Sequence, residues 1–130
     1  MMVVIDTNLL VSALWSSAGN PAKIISLISK GVITPLYNDE ILDEYIRVIS
    51  RDRFGFSQDE IKSLLREFMV SGISAKSFKS RIPLPDESDR VFYDMAVSNE
   101  VVLITGNKKH FPNEDFIFSP AEFLHMFGIL

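Results

Sequence analysis

Apolar residues recur along this chain at two periods, and the alternation between them lays out the elements. Met2-Val-Val-Ile-Asp6 is a β-branched run halted by the polar Asp6-Thr7-Asn8, the pattern of a short buried strand over 2–6. Asn20-Pro21 reads as an N-cap followed by proline at the first helical position. The helix it opens carries Ile24, Ile25, Leu27 and Ile28 and stops at Lys30-Gly31. Val32–Tyr37 is a second strand candidate, weakened by Pro35. Over 38–53, Ile41, Leu42, Tyr45, Ile46, Val48 and Ile49 form an apolar stripe, with acids in the first turn and arginines at the far end. Ser57-Gln-Asp-Glu60 is a capping box before Ile61, Leu64, Leu65, Phe68 and Met69, a helix that stops near Gly72. Residues 73–78 form a short strand candidate, and 79–88, with Pro83 and Pro85, the most evident loop. A helix over about 89–99 follows, then a strand over 101–105, the turn Gly106-Asn107, an edge strand over 115–118, and a last helix opened by Ser119-Pro120-Ala-Glu122.

Strands alternating with helices imply parallel pairing through right-handed crossovers, hence an open α/β sheet covered on both faces. In such sheets sites form beyond the carboxyl ends of the strands. That rule selects Asp6 and Thr105–Asn107 before any chemistry is considered. The 130 residues contain no repeat or linker and fit one domain spanning 1–130.

Composition narrows the chemistry. The absence of cysteine excludes disulfides, thiolate zinc sites and cysteine nucleophiles. No apolar stretch is long enough to cross a bilayer, and no signal segment opens the chain, so the expectation is a cytoplasmic protein with no membrane partner. The formal charge of −4 counts against coating nucleic acid by charge alone. It leaves room for an enzyme whose acids are gathered at one metal.

Several acids stand where such a site would form. Asp6 ends the first strand, though an Asp there also suits a helix cap. Glu44 and Asp43 lie on opposite borders of the apolar stripe of their helix, and spacing does not choose between them. Asp86 and Asp89 enter the helix of Val91, Phe92, Met95 and Ala96. Asp89 projects with Phe92 and Ala96, while Asp94 points elsewhere. Carboxylates gathered without cations repel one another, and a hard divalent ion with oxygen ligands relieves that repulsion.

These residues resemble the PIN-domain family. Val-Val-Ile-Asp6-Thr7-Asn8 resembles its first strand and acid, and Ile41-Leu-Asp-Glu44-Tyr-Ile-Arg-Val-Ile its second-acid helix, which favours Glu44 over Asp43. Asp86-Glu-Ser-Asp89-Arg-Val-Phe-Tyr-Asp-Met-Ala96 resembles the third-acid segment, and Leu103-Ile-Thr105-Gly106-Asn107-Lys-Lys-His110-Phe111 the strand and loop of the fourth polar position. The resemblance implies an α/β, PIN-like open parallel sheet of four to five strands flanked by helices. It further implies a Mg²⁺- or Mn²⁺-dependent endoribonuclease that leaves a 5′-phosphate, often the toxin of a toxin–antitoxin pair and often a homodimer. Under it, Asp6, Glu44 and Asp89 are the catalytic acids with Asn107 beside them, and Asp6, Asp89, Glu44 and Asp86 hold metal. Asn8 and Thr105 are their hydrogen-bond partners. Many family members carry Asp where this chain has Asn107, which lowers the negative charge and opens an alternative: a PIN-fold module that binds RNA or a partner but cuts poorly. An aspartyl phosphotransferase is a weaker rival, because Asn8 stands where an acid–base Asp would be needed.

RNA requires cations outside an acidic centre. Lys79, Arg81, Arg90, Lys108 and Lys109, with Lys76, flank the Asp86–Asn107 region and form an expected RNA-binding rim. Arg47, Arg51 and Arg53 lie beyond Glu44. His110 reads as an exposed loop residue. Trp15, Phe92 and Tyr93 read as core, and Phe123, Leu124, Met126 and Phe127 as packing with some share in a dimer or antitoxin contact.

Overall fold

A computed structural model describes residues 1–128. Its centre is a five-stranded, wholly parallel sheet in the order β3-β2-β1-β4-β5, with β1 at Met2–Ile5, β2 at Thr34–Tyr37, β3 at Ile73–Ser74, β4 at Val102–Ile104 and β5 at Ile117–Phe118. From β1 the chain winds outward through β2 and β3, then returns to the other side of β1 as β4 and β5. The winding reverses between β1 and β4, where Ile5 lies in register with Ile104. A reversal of this kind leaves a crevice beyond the carboxyl ends of the two strands. Val3, Val4, Ile5, Leu103 and Ile104 have no exposed surface, as expected of strands covered on both faces.

The helices are α1 at Thr7–Trp15, α2 at Asn20–Ser29, α3 at Asp39–Ile49, α4 at Gln58–Ser71, α5 at Arg90–Asn99 and α6 at Pro120–Met126. Among the described residues none is long and apolar enough to cross a membrane. The capping boxes at Ser57 and Ser119 form in full: each serine accepts from the amide three residues on, and Glu60 and Glu122 reach back. Asn38 caps α3, accepting from Ile41 N at 2.8 Å. Gly31, with φ at +73°, turns the chain out of α2.

Three boundaries differ from the sequence pattern. Gly19, not Asn20, is the N-cap of α2; Asn20 is already helical. The third helix ends at Ile49 rather than near Arg53. Beyond Ser50 the backbone of Arg51 is extended, and Asp52–Phe54 forms a single 3₁₀ turn closed by Gly55 at φ +67°. Only Arg47 remains in the last turn of α3. The expected strand over 73–78 contracts to two paired residues, after which Ala75 N still reaches Tyr37 O at 2.9 Å.

One aromatic group ties the layers together beside the crevice. The buried Tyr45 of α3 donates its hydroxyl to Ile5 O at 2.6 Å, one residue before Asp6. Its ring stacks on Phe92 of α5 at 5.7 Å and meets Phe68 of α4 edge-on at 5.4 Å. Burying such a set excludes water and fixes both helices against β1. Glu44, adjacent to Tyr45, and Asp89, three residues before Phe92, are thereby set at one place.

Candidate active site

A cleft of about 420 Å³ opens beyond β1 and β4, and it is lined by Asp6, Glu44, Asp86, Asp89 and Asn107 together with His110. Fold topology brings these residues together from four separate segments of the chain.

Asp6 is 5% exposed. It occupies the N-cap position of α1, yet its side chain makes no capping hydrogen bond. One carboxylate oxygen instead accepts from the Thr105 hydroxyl at 2.8 Å. Burial raises its pKa above the usual carboxylate value, and the Thr105 bond with the nearby amides of Thr7 and Asn8 opposes that rise. Thr105 is itself fixed: its Oγ1 accepts from Asn107 N at 3.0 Å and from Asn8 Nδ2 at 3.4 Å. Asn8 Oδ1 in turn accepts from Gly106 N at 3.1 Å. Asn8 and Thr105 thus lace the end of β4 to the start of α1 behind Asp6.

Asp89 ends the 3₁₀ turn of Glu87–Asp89 and occupies the N-cap position of α5, with no side-chain capping hydrogen bond. Its side chain is 13% exposed, and its Oδ2 is buried with no hydrogen-bond partner. Burial, then the charges of Asp6 and Asp86, push its pKa up to about 6. Asp86 is exposed and its Oδ1 accepts from Ser88 N at 3.0 Å and Ser88 Oγ at 2.9 Å, which holds its pKa below the usual range. Two acids three residues apart are therefore shifted in opposite directions, Asp89 up by burial and neighbouring charge and Asp86 down by its hydrogen bonds.

Glu44 faces the cleft while Asp43 is exposed on the outer side of α3. Both Glu44 oxygens are engaged by Arg47, one turn away. The tightest cluster is Asp86, Asp89 and His110, whose potential ligand atoms lie within 4.8 Å of one another. Asp6 and Glu44 line the same cleft outside that cluster.

His110 is the residue the sequence pattern passed over. Lys108–His110 is a 3₁₀ turn capped by Asn107, and residues three apart in such a turn project on one side. His110 Nδ1 consequently lies 3.3 Å from Asn107 Nδ2 and 3.5 Å from Asp89 Oδ2. The discernible signal was the i, i+3 spacing from Asn107.

The cations expected to form a rim do not line the acidic cleft. Arg90 turns inward, donating to the carbonyls of Ser80 and Ile82 and pairing with Glu87 and Asp94. Its guanidinium clasps the 79–86 loop and is not available to RNA. Lys79 lines a second cleft with Arg90 and Asp94, and Lys108 pairs with Glu122. Lys109 borders a groove beside Phe111, and Arg81 stands exposed in its loop. The cations on the wall of the acidic cleft are Arg47, Arg51 and Arg53.

A divalent ion fits this donor set. Asp89 Oδ2 and Thr7 Oγ1 are buried without partners, and both residues line the cleft. Unsatisfied buried oxygens are rare in folded proteins unless something else binds them. The carboxylates suit Mg²⁺ or Mn²⁺.

Comparison with known proteins agrees with this arrangement. The PIN domain family model matches residues 2–109. An uncharacterized protein of Methanocaldococcus jannaschii is 31% identical over 110 residues, covering 82% of this chain and 70% of its own. No solved structure matches the chain. With its sheet order, its clustered acids and this match over most of its length, the chain belongs to the PIN-domain family, whose members are generally nucleases that use divalent metals.

Proposed function

We propose that the chain is a divalent-metal-dependent endoribonuclease that hydrolyses RNA phosphodiester bonds. The observation that carries this reading is the partnerless buried oxygen of Asp89, facing Asp6, Asp86 and His110 in one cleft. Asp6, Asp86 and Asp89, with His110, would hold Mg²⁺ or Mn²⁺, and Glu44 would join them on leaving Arg47. A bound ion of this kind lowers the pKa of water and offsets charge developing on a phosphodiester. Thr105 holds one oxygen of Asp6, which fixes that carboxylate on the cleft wall. Asn107 presents an amide beside His110, suited to orienting a water or a phosphate oxygen.

Two features favour a second reading, a PIN-fold RNA-binding module with weak cleavage. Asn107 brings no charge, and Arg47 already neutralises Glu44. Cleavage of an end-labelled, mixed-sequence single-stranded RNA with Mn²⁺, with Mg²⁺ and with chelator separates the two. The nuclease reading expects metal-dependent cutting that falls at least about 100-fold in Asp6→Asn. Silence from the natural protein, with activity appearing in Asn107→Asp, would instead make this member a binder. A toxin role extends the same reading and expects growth arrest on induction that Asp6→Asn relieves. Light scattering of the purified protein tests the homodimer that the family resemblance implies.

A further inference from the structure

Trp15 is not in the core: it is 62% exposed at the end of α1. It packs edge-on against Phe54 at 5.2 Å and lies 6.1 Å from Phe56, and Phe54 and Phe56 stack on each other at 5.8 Å. Phe54 lines the acidic cleft, and its contacts hold Trp15 and Phe56 next to that wall, with Phe54 and Phe56 themselves half-buried. Val11 and Ser12 of α1 line the cleft, and Trp15 is one turn further along the same helix. At 1.5 Å per residue, Trp15 stands about 14 Å from Asp6 along α1. The opposite side of the shelf is the turn after α3, where Arg51, Arg53 and Phe54 also line the cleft.

We propose that Trp15, Phe54 and Phe56 form a shelf that stacks unpaired bases of single-stranded RNA beside the acidic cleft, with Arg51 and Arg53 on the adjoining phosphates. The inference rests on the nuclease reading for its choice of RNA. Charge complementarity supports the occupant. The chain is acidic overall, yet these two arginines stand together on the cleft wall and make no ion pair among the described residues. The Arg53 guanidinium lies 5.0 Å over the Phe54 ring, which joins the cation to the aromatic group. An anionic strand is repelled by the acids themselves and needs an anchor outside them. Aromatic faces next to arginines supply one, and they act on unpaired bases because a duplex hides its base faces.

Trp15 is the only tryptophan in the chain, so intrinsic fluorescence reports on the shelf directly. The full-length protein, in chelator to prevent cutting, is titrated with a single-stranded RNA dodecamer and with the same sequence as a duplex. The single strand is expected to quench the emission and the duplex to do so far less. By anisotropy of labelled RNA, Trp15→Ala weakens binding about 5- to 100-fold, the range for losing one stacked base. Trp15→Phe restores most of it, which a change in fold would not. Arg51→Ala lowers the slope of log affinity against log salt by about one phosphate contact. Equal quenching by duplex, no quenching at all, or unchanged affinity in Trp15→Ala overturns the shelf, and binding of an acidic protein segment would then account for the exposed Trp15. Hydrolysis of a small chromogenic phosphodiester, too short to reach Trp15, reports the chemistry alone. Its absence with quenching intact would defeat the nuclease reading and leave the shelf standing.

Discussion

At Asp89 one carboxylate oxygen is shut away from water without a donor, and the nearby acids Asp6, Asp86 and Glu44 add their charges to the effect of burial. The resulting pKa of about 6 stands above its ordinary 3.8, so the folded protein favours the protonated form. The stabilisation from this group is therefore full below about pH 4 and is lost as pH rises through about 6. Asp6 is shifted in the same direction, chiefly by burial. In chelator at pH 7, Asp89→Asn is expected to be more stable than the natural protein by about 1–2 kcal/mol after solvent screening, and the gap should close by pH 4. Thermal unfolding of both proteins across that range measures it. A natural protein as stable as the variant at pH 7 would mean that the charge at this site is relieved by something within the chain. Asp6, Asp86 and Asp89 were legible because each follows a strand end or opens a helix, and Glu44 only through the family resemblance. His110 was not, because its role depends on a 3₁₀ turn that periodicity does not signal.

Between elements, the junction of α4 and β3 depends on one residue without a side chain. A Cβ on Gly72 would collide with the backbone carbonyls of Phe68 and Pro35, neither of which can swing away as a side-chain tip could. Gly72→Ala is expected to lower stability by about 1–3 kcal/mol, in the range of overpacking changes, and to loosen β3 from β2. Denaturant unfolding measures the first effect, and faster amide exchange at Ala75, which donates to Tyr37 O, reports the second. An unchanged midpoint would show that the junction can open at no loss. The sequence announced the end of α4 near Gly72 but not the reason for glycine there. That reason is Pro35, 37 positions earlier, brought close by the parallel pairing of β2 with β3. The end of α3 was misjudged for a related cause. The stripe ends at Ile49, whereas the arginines that looked like its last turn belong to the turn closed by Gly55.

For the molecule as a whole, the sheet gathers acids at its switch point, and under the proposed metal reading a divalent cation would relieve their mutual repulsion. Mn²⁺ or Mg²⁺ should accordingly raise the unfolding temperature. At a hundredfold excess over the dissociation constant the gain is about 2.7 kcal/mol. Most of it should vanish in Asp89→Asn. A differential scanning experiment with and without chelator decides the matter, and an equal rise in both proteins would place the ion away from Asp89. The net charge of −4 was a poor guide to partners taken as a total. Its meaning lies in placement, with acids inside the cleft and Arg51 and Arg53 at its edge.

The sequence by itself determined the order of the elements other than α1, the parallel α/β class and the strand ends where a site would form, because these follow from local periodicity, caps and the rules of crossover connection. It also carried Asp6, Glu44, Asp86 and Asp89 through their family resemblance. Tertiary structure alone decided the rest. It turned Arg90 into a clasp for the 79–86 loop, put Trp15 at the surface and brought His110 to Asp89. Such outcomes depend on contacts between residues tens of positions apart, and their energies arise only when the sheet has closed and water has been excluded from between its layers.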